Sequence, residues 1–106
     1  MSVWKEELSL DLLVTALCLD YTRRAGLIEG KLCSRRTDTE LRYYNFKIYD
    51  ASAEVVGDRF AEIFIRDIGE RRGYASTELS FYSEGSYKSY KKLIKENIAK
   101  KLHLCD

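Results

Sequence analysis

Apolar residues recur at helical spacing in several stretches of this chain, and no proline interrupts any of them. Proline removes a backbone donor and clashes with the preceding turn, so its complete absence favours helices over a loop scaffold. Trp4, Leu8, Leu12 and Ala16 follow one another at i+4, with Leu13, Leu17 and Tyr21 beside them. That spacing predicts a first helix from about Val3 to Arg24. Its middle is apolar nearly all round, as expected of a helix packed on more than one side. Gly26 and Gly30 follow as helix-stopping positions.

Thr37-Asp38-Thr39-Glu40 then reads as a capping box, the Thr37 hydroxyl accepting from the Glu40 amide while the Glu40 carboxylate reaches back. A second helix carries Leu41, Tyr44, Ile48, Ala51 and Val55 on one stripe and ends at Gly57. A strand competes here, because Tyr44, Phe46 and Ile48 alternate with Asn45, Lys47 and Tyr49; the capping box and the longer 3–4 spacing favour the helix. Asp58 reads as the cap of a third helix with Phe60, Ala61, Phe64, Ile65 and Ile68, closed by Arg71-Arg72-Gly73. Gly69 should weaken its last turn by about 1 kcal/mol relative to alanine. The stretch Tyr74–Tyr82 fits either a short helix capped by Ser76 or Thr77, or a strand. After Gly85, Ser86 reads as the cap of a last helix from Tyr87 to about Leu102, with Tyr87, Tyr90, Ile94, Ile98 and Leu102 facing inward.

The expected architecture is therefore mainly α: a single compact bundle of four to five helices spanning residues 1–106, with a place for a helix-turn-helix in the C-terminal half. A chain of 106 residues suits one domain and one core, with little left for a deep substrate cavity.

Several function classes are unsupported by the residues. The apolar run Leu12–Leu19 is far shorter than the ~18 residues a bilayer span needs. Glu6, Glu7 and Asp11 precede it where a signal peptide would carry positive charge, so the expected compartment is the cytoplasm. Cys18, Cys33 and Cys105 form no CxxC, and their odd, wide spacing suits plain thiols in a reducing compartment, with Cys18 buried. A zinc site would need about four closely placed ligands, and His103 is the only histidine. Glu54, Asp58 and Glu62 are spaced by four but interrupted by Gly57, and no phosphate-cradling glycine motif exists. No nucleophile is paired with a base. The expectation is a protein that is not an enzyme, takes no cofactor or metal, and acts by binding another macromolecule.

Charge narrows the choice of partner. The net charge of +1 hides an asymmetry: Lys88, Lys91, Lys92, Lys95, Lys100 and Lys101 face only Glu84 and Glu96 in the last helix. Such a segment fits a nucleic-acid face, and it fits equally the solvated side of an amphipathic helix. Ser83, Ser86, Tyr87, Ser89 and Tyr90 gather at its start, where hydroxyls and helix amides can donate to phosphate. Arg23-Arg24 and Arg35-Arg36 flank the first loop, able to clamp phosphates or an acidic protein surface.

The run Ser83-Glu84-Gly85-Ser86-Tyr87-Lys88-Ser89-Tyr90, continuing to Leu102, resembles the recognition helix of sigma-factor region-4-like helix-turn-helix domains, found in regulators of phage and mobile elements. The likeness covers about 20 residues. It implies a double-stranded DNA partner, with Glu84, Ser86, Lys88 and Ser89 in the major groove and Lys91, Lys92 and Lys95 toward phosphates. It also implies a small transcriptional regulator, expected to be a homodimer. The preceding stretch departs from the family pattern, offering Ser76, Thr77 and Ser80 where aliphatic residues belong. An alternative comes from the eight tyrosines and the paired arginines: a protein-binding inhibitor or adaptor, for example a phage anti-defence protein, docking on a host protein through a Tyr/Arg-rich surface.

Overall fold

The computed structural model describes residues 3–31 and 34–104. The described residues form five α-helices: α1 (Val3–Leu19), α2 (Tyr21–Gly30), α3 (Arg35–Val56), α4 (Asp58–Gly69) and α5 (Glu84–Lys101). A single 3-10 turn, Tyr74–Ser76, lies between α4 and α5, and no strand occurs among the described residues. The mainly α bundle expected from the periodicity is what the chain adopts. Its extents of 42 × 39 × 21 Å make it about two helices thick.

The core is built from matching apolar stripes. Ile48 and Ala51 of α3 meet Ala61, Phe64, Ile65 and Ile68 of α4 and Tyr87, Ile94, Ile98 and Ala99 of α5, all buried. On α4 the spacing is i, i+3, i+4, i+7, a stripe that only a helix brings to one face. Val14 and Cys18 of α1 and Leu79 of the α4–α5 connection complete the core. Burial pushes the Cys18 thiol up to about 12, since a thiolate there would lack water. Cys33 and Cys105 lie outside the described residues.

Several local expectations are corrected. The first helix is two: Asp20 separates α1 from α2, and Gly26 sits inside α2 rather than ending a helix. Beside this joint Arg24 turns into the molecule instead of toward a partner. Its guanidinium donates to Asp20 (3.1 Å), to Asn45 Oδ1 (2.7 Å) and to the carbonyl of Leu17, tying α1, α2 and α3 together. Arg23 folds back on Asp20 as well. The C-terminus of α2 is closed by Lys31 in the left-handed conformation, φ 52°.

Over residues 9–19 α1 is not packed on several sides, and Trp4 and Leu8 lie outside the residues whose side chains are described. Val14 and Cys18 face in, while Leu12, Leu13 and Leu19 stand in solvent. Along this stretch α1 meets α4 and α5 with the flank that carries Val14 and Cys18.

Two of the three expected caps move three residues upstream, and Asp58 lies in the first turn of α4 rather than capping it. Ser34, not Thr37, caps α3: its hydroxyl accepts from the Thr37 amide at 3.3 Å. Glu40 pairs with Arg36 at 3.7 Å instead of closing a capping box. Likewise Ser83, not Ser86, caps α5, accepting from the Ser86 amide at 3.2 Å. The joint between α3 and α4 is Gly57, whose φ of 84° is open to glycine but strained for other residues.

Helix α4 ends at Gly69, earlier than Arg71-Arg72-Gly73, and Arg71 then turns left-handed at φ 56°. Residues 70–83 hold turns and the one 3-10 turn, so the stretch Tyr74–Tyr82 is neither the short helix nor the strand. A helix-turn-helix requires a full helix a few residues before the recognition helix. Among the described residues none occupies that place before α5.

Candidate protein-docking surface

The connection between α4 and α5 is irregular in backbone yet tightly held. Asp67, fully buried at the end of α4, accepts from the Thr77 hydroxyl and from Tyr87 OH (2.8 Å) through one carboxylate oxygen. Its other oxygen has no partner among the described residues. Thr77 also accepts from the Leu79 amide at 3.0 Å, which turns the chain and drives Leu79 into the core. From the far side Tyr74 OH lies 2.6 Å from the Tyr82 carbonyl and 2.9 Å from that of Ser80. Arg66 pairs with Glu78 at 2.8 Å. Burial pushes the Tyr87 hydroxyl up to about 12, and its bond to Asp67 acts in the same direction.

This scaffold holds Phe81 out in water at 64% exposure. Alternation along the segment explains the direction: Leu79 goes in, so Phe81, two residues on, comes out beside the half-buried Tyr82. Phe81 is not isolated. Its ring centroid lies 5.2 Å from that of Phe60 and 4.6 Å from that of Tyr82, and Tyr82 stands 5.3 Å from Tyr90. Leu93, one turn after Tyr90 on α5, is also exposed. Arg59 covers the Phe60 ring, its guanidinium carbon 5.4 Å from the centroid. The result is an aromatic ledge running from the connection across α4 to α5, rimmed by one arginine.

The lysine-rich helix is arranged differently from a free cationic face. Lys91 donates to the Arg72 carbonyl at 2.7 Å and sits 4.9 Å over the Tyr87 ring; burial lowers its pKa, as do Lys95 and Lys88 nearby. Lys95 pairs with Asp11 at 2.9 Å, and Lys101 with both Asp50 (2.9 Å) and Glu54 (2.7 Å). Lys88 pairs with Glu84 one turn before it at 3.1 Å. Lys92 and Lys100 have no carboxylate partner among the described residues; both border a groove of about 570 Å³ between α1 and α5, floored by Leu10, Val14 and Ala99. Ser86 receives the Ser83 hydroxyl at 2.9 Å and belongs to the cap, while Ser89 is exposed. Arg35 and Arg36 lie on the far side of the molecule's sequence, at the start of α3, both exposed. They therefore belong to a different helix from the lysines.

His103 is exposed after α5 at φ 57°, and Glu54 is engaged by Lys101 and Asn97. No cluster of metal-ligating residues occurs among the described residues, and no helix is long and apolar enough to cross a membrane.

Sequence reasoning singled out Tyr82 and Tyr90 but missed Phe81, Phe60 and Leu93. The available signal was an aromatic pair, Phe81-Tyr82, in a stretch without helical period and directly before the Ser-Glu-Gly cap. Comparison of the chain with protein families, characterised proteins and solved structures finds no match.

Proposed function

We propose that this protein is a binding module, an adaptor or inhibitor that docks on another protein through the aromatic ledge of Phe81, Phe60, Tyr82, Tyr90 and Leu93. The observation that carries this is the exposure of Phe81 on a rigid support. Full burial of such a side chain is worth about 1.5–3 kcal/mol, most of which the free protein forgoes. Preorganised aromatic anchors beside an arginine are the residues that dominate protein interfaces. The ledge stacks ring against ring and requires no conformational change to engage a partner.

The test is quantitative affinity purification from the native host, comparing wild type with Phe81→Ala and Lys92→Ala. A stoichiometric protein partner should be retained by wild type and by Lys92→Ala and lost with Phe81→Ala. Equal recovery by all three would sink the proposal.

A second reading places double-stranded DNA against Lys88, Ser89 and Lys92, with Lys91 and Lys95 behind them. Its support is that Ser89 and Lys92 are exposed on α5 and that Lys92 has no carboxylate partner among the described residues. On that reading duplex affinity falls steeply with salt, about 0.9 log units per phosphate contact per log unit of salt, and Lys88→Ala with Lys92→Ala abolishes it. The exposed Leu12, Leu13 and Leu19 of α1 are where a second copy would pack, and sedimentation velocity of Leu19→Ser against wild type checks homodimerisation.

A further inference from the structure

We propose that the outer face of α3 binds single-stranded nucleic acid, its bases stacking on Tyr43 and Phe46 and its phosphates resting on Arg35, Arg36 and Lys47. This surface is separate from the aromatic ledge and from the lysines of α5.

The buried side of α3 is fixed by Asn45, Ile48, Ala51 and Ser52. Opposite them Phe46 is 64% and Tyr43 43% exposed, three residues apart and so neighbours on the helix surface. Nothing in the core needs either ring. Tyr43 packs edge-on against Tyr44, with centroids 5.7 Å apart, and carries Lys47 above its face at 5.7 Å. A ring already holding a cation over it is a flat platform set among positive charge, the arrangement that single strands use.

The charge of the face is biased the same way. Each carboxylate near it already has a cation: Asp38 has Arg42 at 2.7 Å, Glu40 has Arg36 at 3.7 Å, and Asp50 has Lys101 at 2.9 Å. Arg35 and Lys47 have no carboxylate partner among the described residues, and the Arg36 side chain is 92% exposed. The surplus is therefore positive, and Arg36 is held only by Glu40, a solvent-exposed carboxylate that phosphate can replace.

Two other occupants fit less well. An amphipathic partner helix needs an apolar seam over several turns, and here the seam is one turn long, bounded by Thr39 on one side and Asp50 on the other. Duplex DNA keeps its base faces stacked inside the helix, so it would leave Tyr43 and Phe46 without contacts. Only unpaired bases use both the rings and the cations.

Fluorescence anisotropy of the whole protein with a labelled oligo-dT strand of about twelve nucleotides, a site size in the usual range, tests this. Wild type should bind at about 50 mM salt and weaken as salt rises. Phe46→Ala should weaken binding at least about fivefold, the lower end of what one lost base stack causes, with helicity and Tm unchanged. Arg35→Ala with Arg36→Ala should flatten the salt dependence by about 1.4 log units per log unit, two single-strand phosphate contacts. Lys92→Ala and Phe81→Ala should bind as wild type does. No binding by wild type, equal affinity for a duplex of that length or for poly-glutamate, or a folded Phe46→Ala that binds as well as wild type, would each overturn the proposal.

Discussion

Gly69 and Gly26 look alike in the sequence, each a glycine at helical spacing, yet replacing them with alanine should move stability in opposite directions. A Cβ on Gly69 would lie 2.5 Å from the Leu19 amide nitrogen, 2.6 Å from Leu19 Cα and 2.8 Å from the Cys18 carbonyl carbon. All three are backbone atoms of α1, so no side chain can swing aside. Ordinary contact needs about 3.5 Å or more, which means α1 and α4 must part by about 1 Å at their crossing. Overpacking of this kind costs about 1–3 kcal/mol. Alanine returns about 1 kcal/mol of helix propensity, leaving Gly69→Ala destabilised by up to about 2 kcal/mol. At Gly26, within α2, an added Cβ meets nothing within 4 Å. Gly26→Ala therefore keeps the propensity gain alone and is stabilised by about 1 kcal/mol. Because propensity cancels between the variants, their difference isolates the helix–helix clash. Urea unfolding followed by far-UV circular dichroism reads both, and the midpoints should move to opposite sides of wild type. A Gly69→Ala midpoint raised as much as that of Gly26→Ala would refute the close α1–α4 approach.

Three further outcomes are expected. Tyr87→Phe removes a hydrogen bond from Asp67, a fully buried carboxylate already one partner short, and should cost about 1–3 kcal/mol by urea titration; no loss would mean that the Asp67 node does not hold the connection. Phe64→Ala, at a fully buried ring, should cost about 3–5 kcal/mol, while Phe81→Ala should stay within about 0.5 kcal/mol; a large loss for Phe81→Ala would show that it is a core residue. Stability should fall in alkali. The folded Cys18 and Tyr87 groups are pushed up to about 12 from ordinary values of 9.0 and 10.0, so above pH 9 the unfolded chain releases protons that the folded one keeps. The contribution is complete below pH 9 and is lost as pH climbs toward 12, by several kcal/mol in order of magnitude. Urea midpoints at about pH 7.5, 9 and 10.5 in a Cys33→Ser, Cys105→Ser background check it, and a flat profile would contradict the burial of these groups.

Sequence alone determined that this chain is helical and much of the core face of α4 and α5; on α3 it placed Ile48 and Ala51 inward but also Tyr44, which is exposed, and missed the buried Asn45 and Ser52. That information is local, since a repeat of three and four along a helix places Ile48 with Ala51, or Phe64 with Ile65 and Ile68, on one side whatever lies opposite. Its cap choices, Thr37 and Ser86, each lie three residues downstream of the hydroxyl that caps, Ser34 and Ser83. Both members of each pair satisfy the same local rule, and in both the upstream residue accepts the amide while the downstream one joins the helix. The tertiary structure decided between them, as it decided that Arg24 turns inward to Asn45, twenty-one residues away. The lysines of α5 were legible as a charged stripe, but not their partners Asp11, Asp50 and Glu54, which arrive from other helices. Phe81 owes its exposure to Asp67, Thr77 and Tyr74 gripping an aperiodic segment. No spacing rule reports on such contacts, because they depend on which elements meet in space rather than on which residues follow one another.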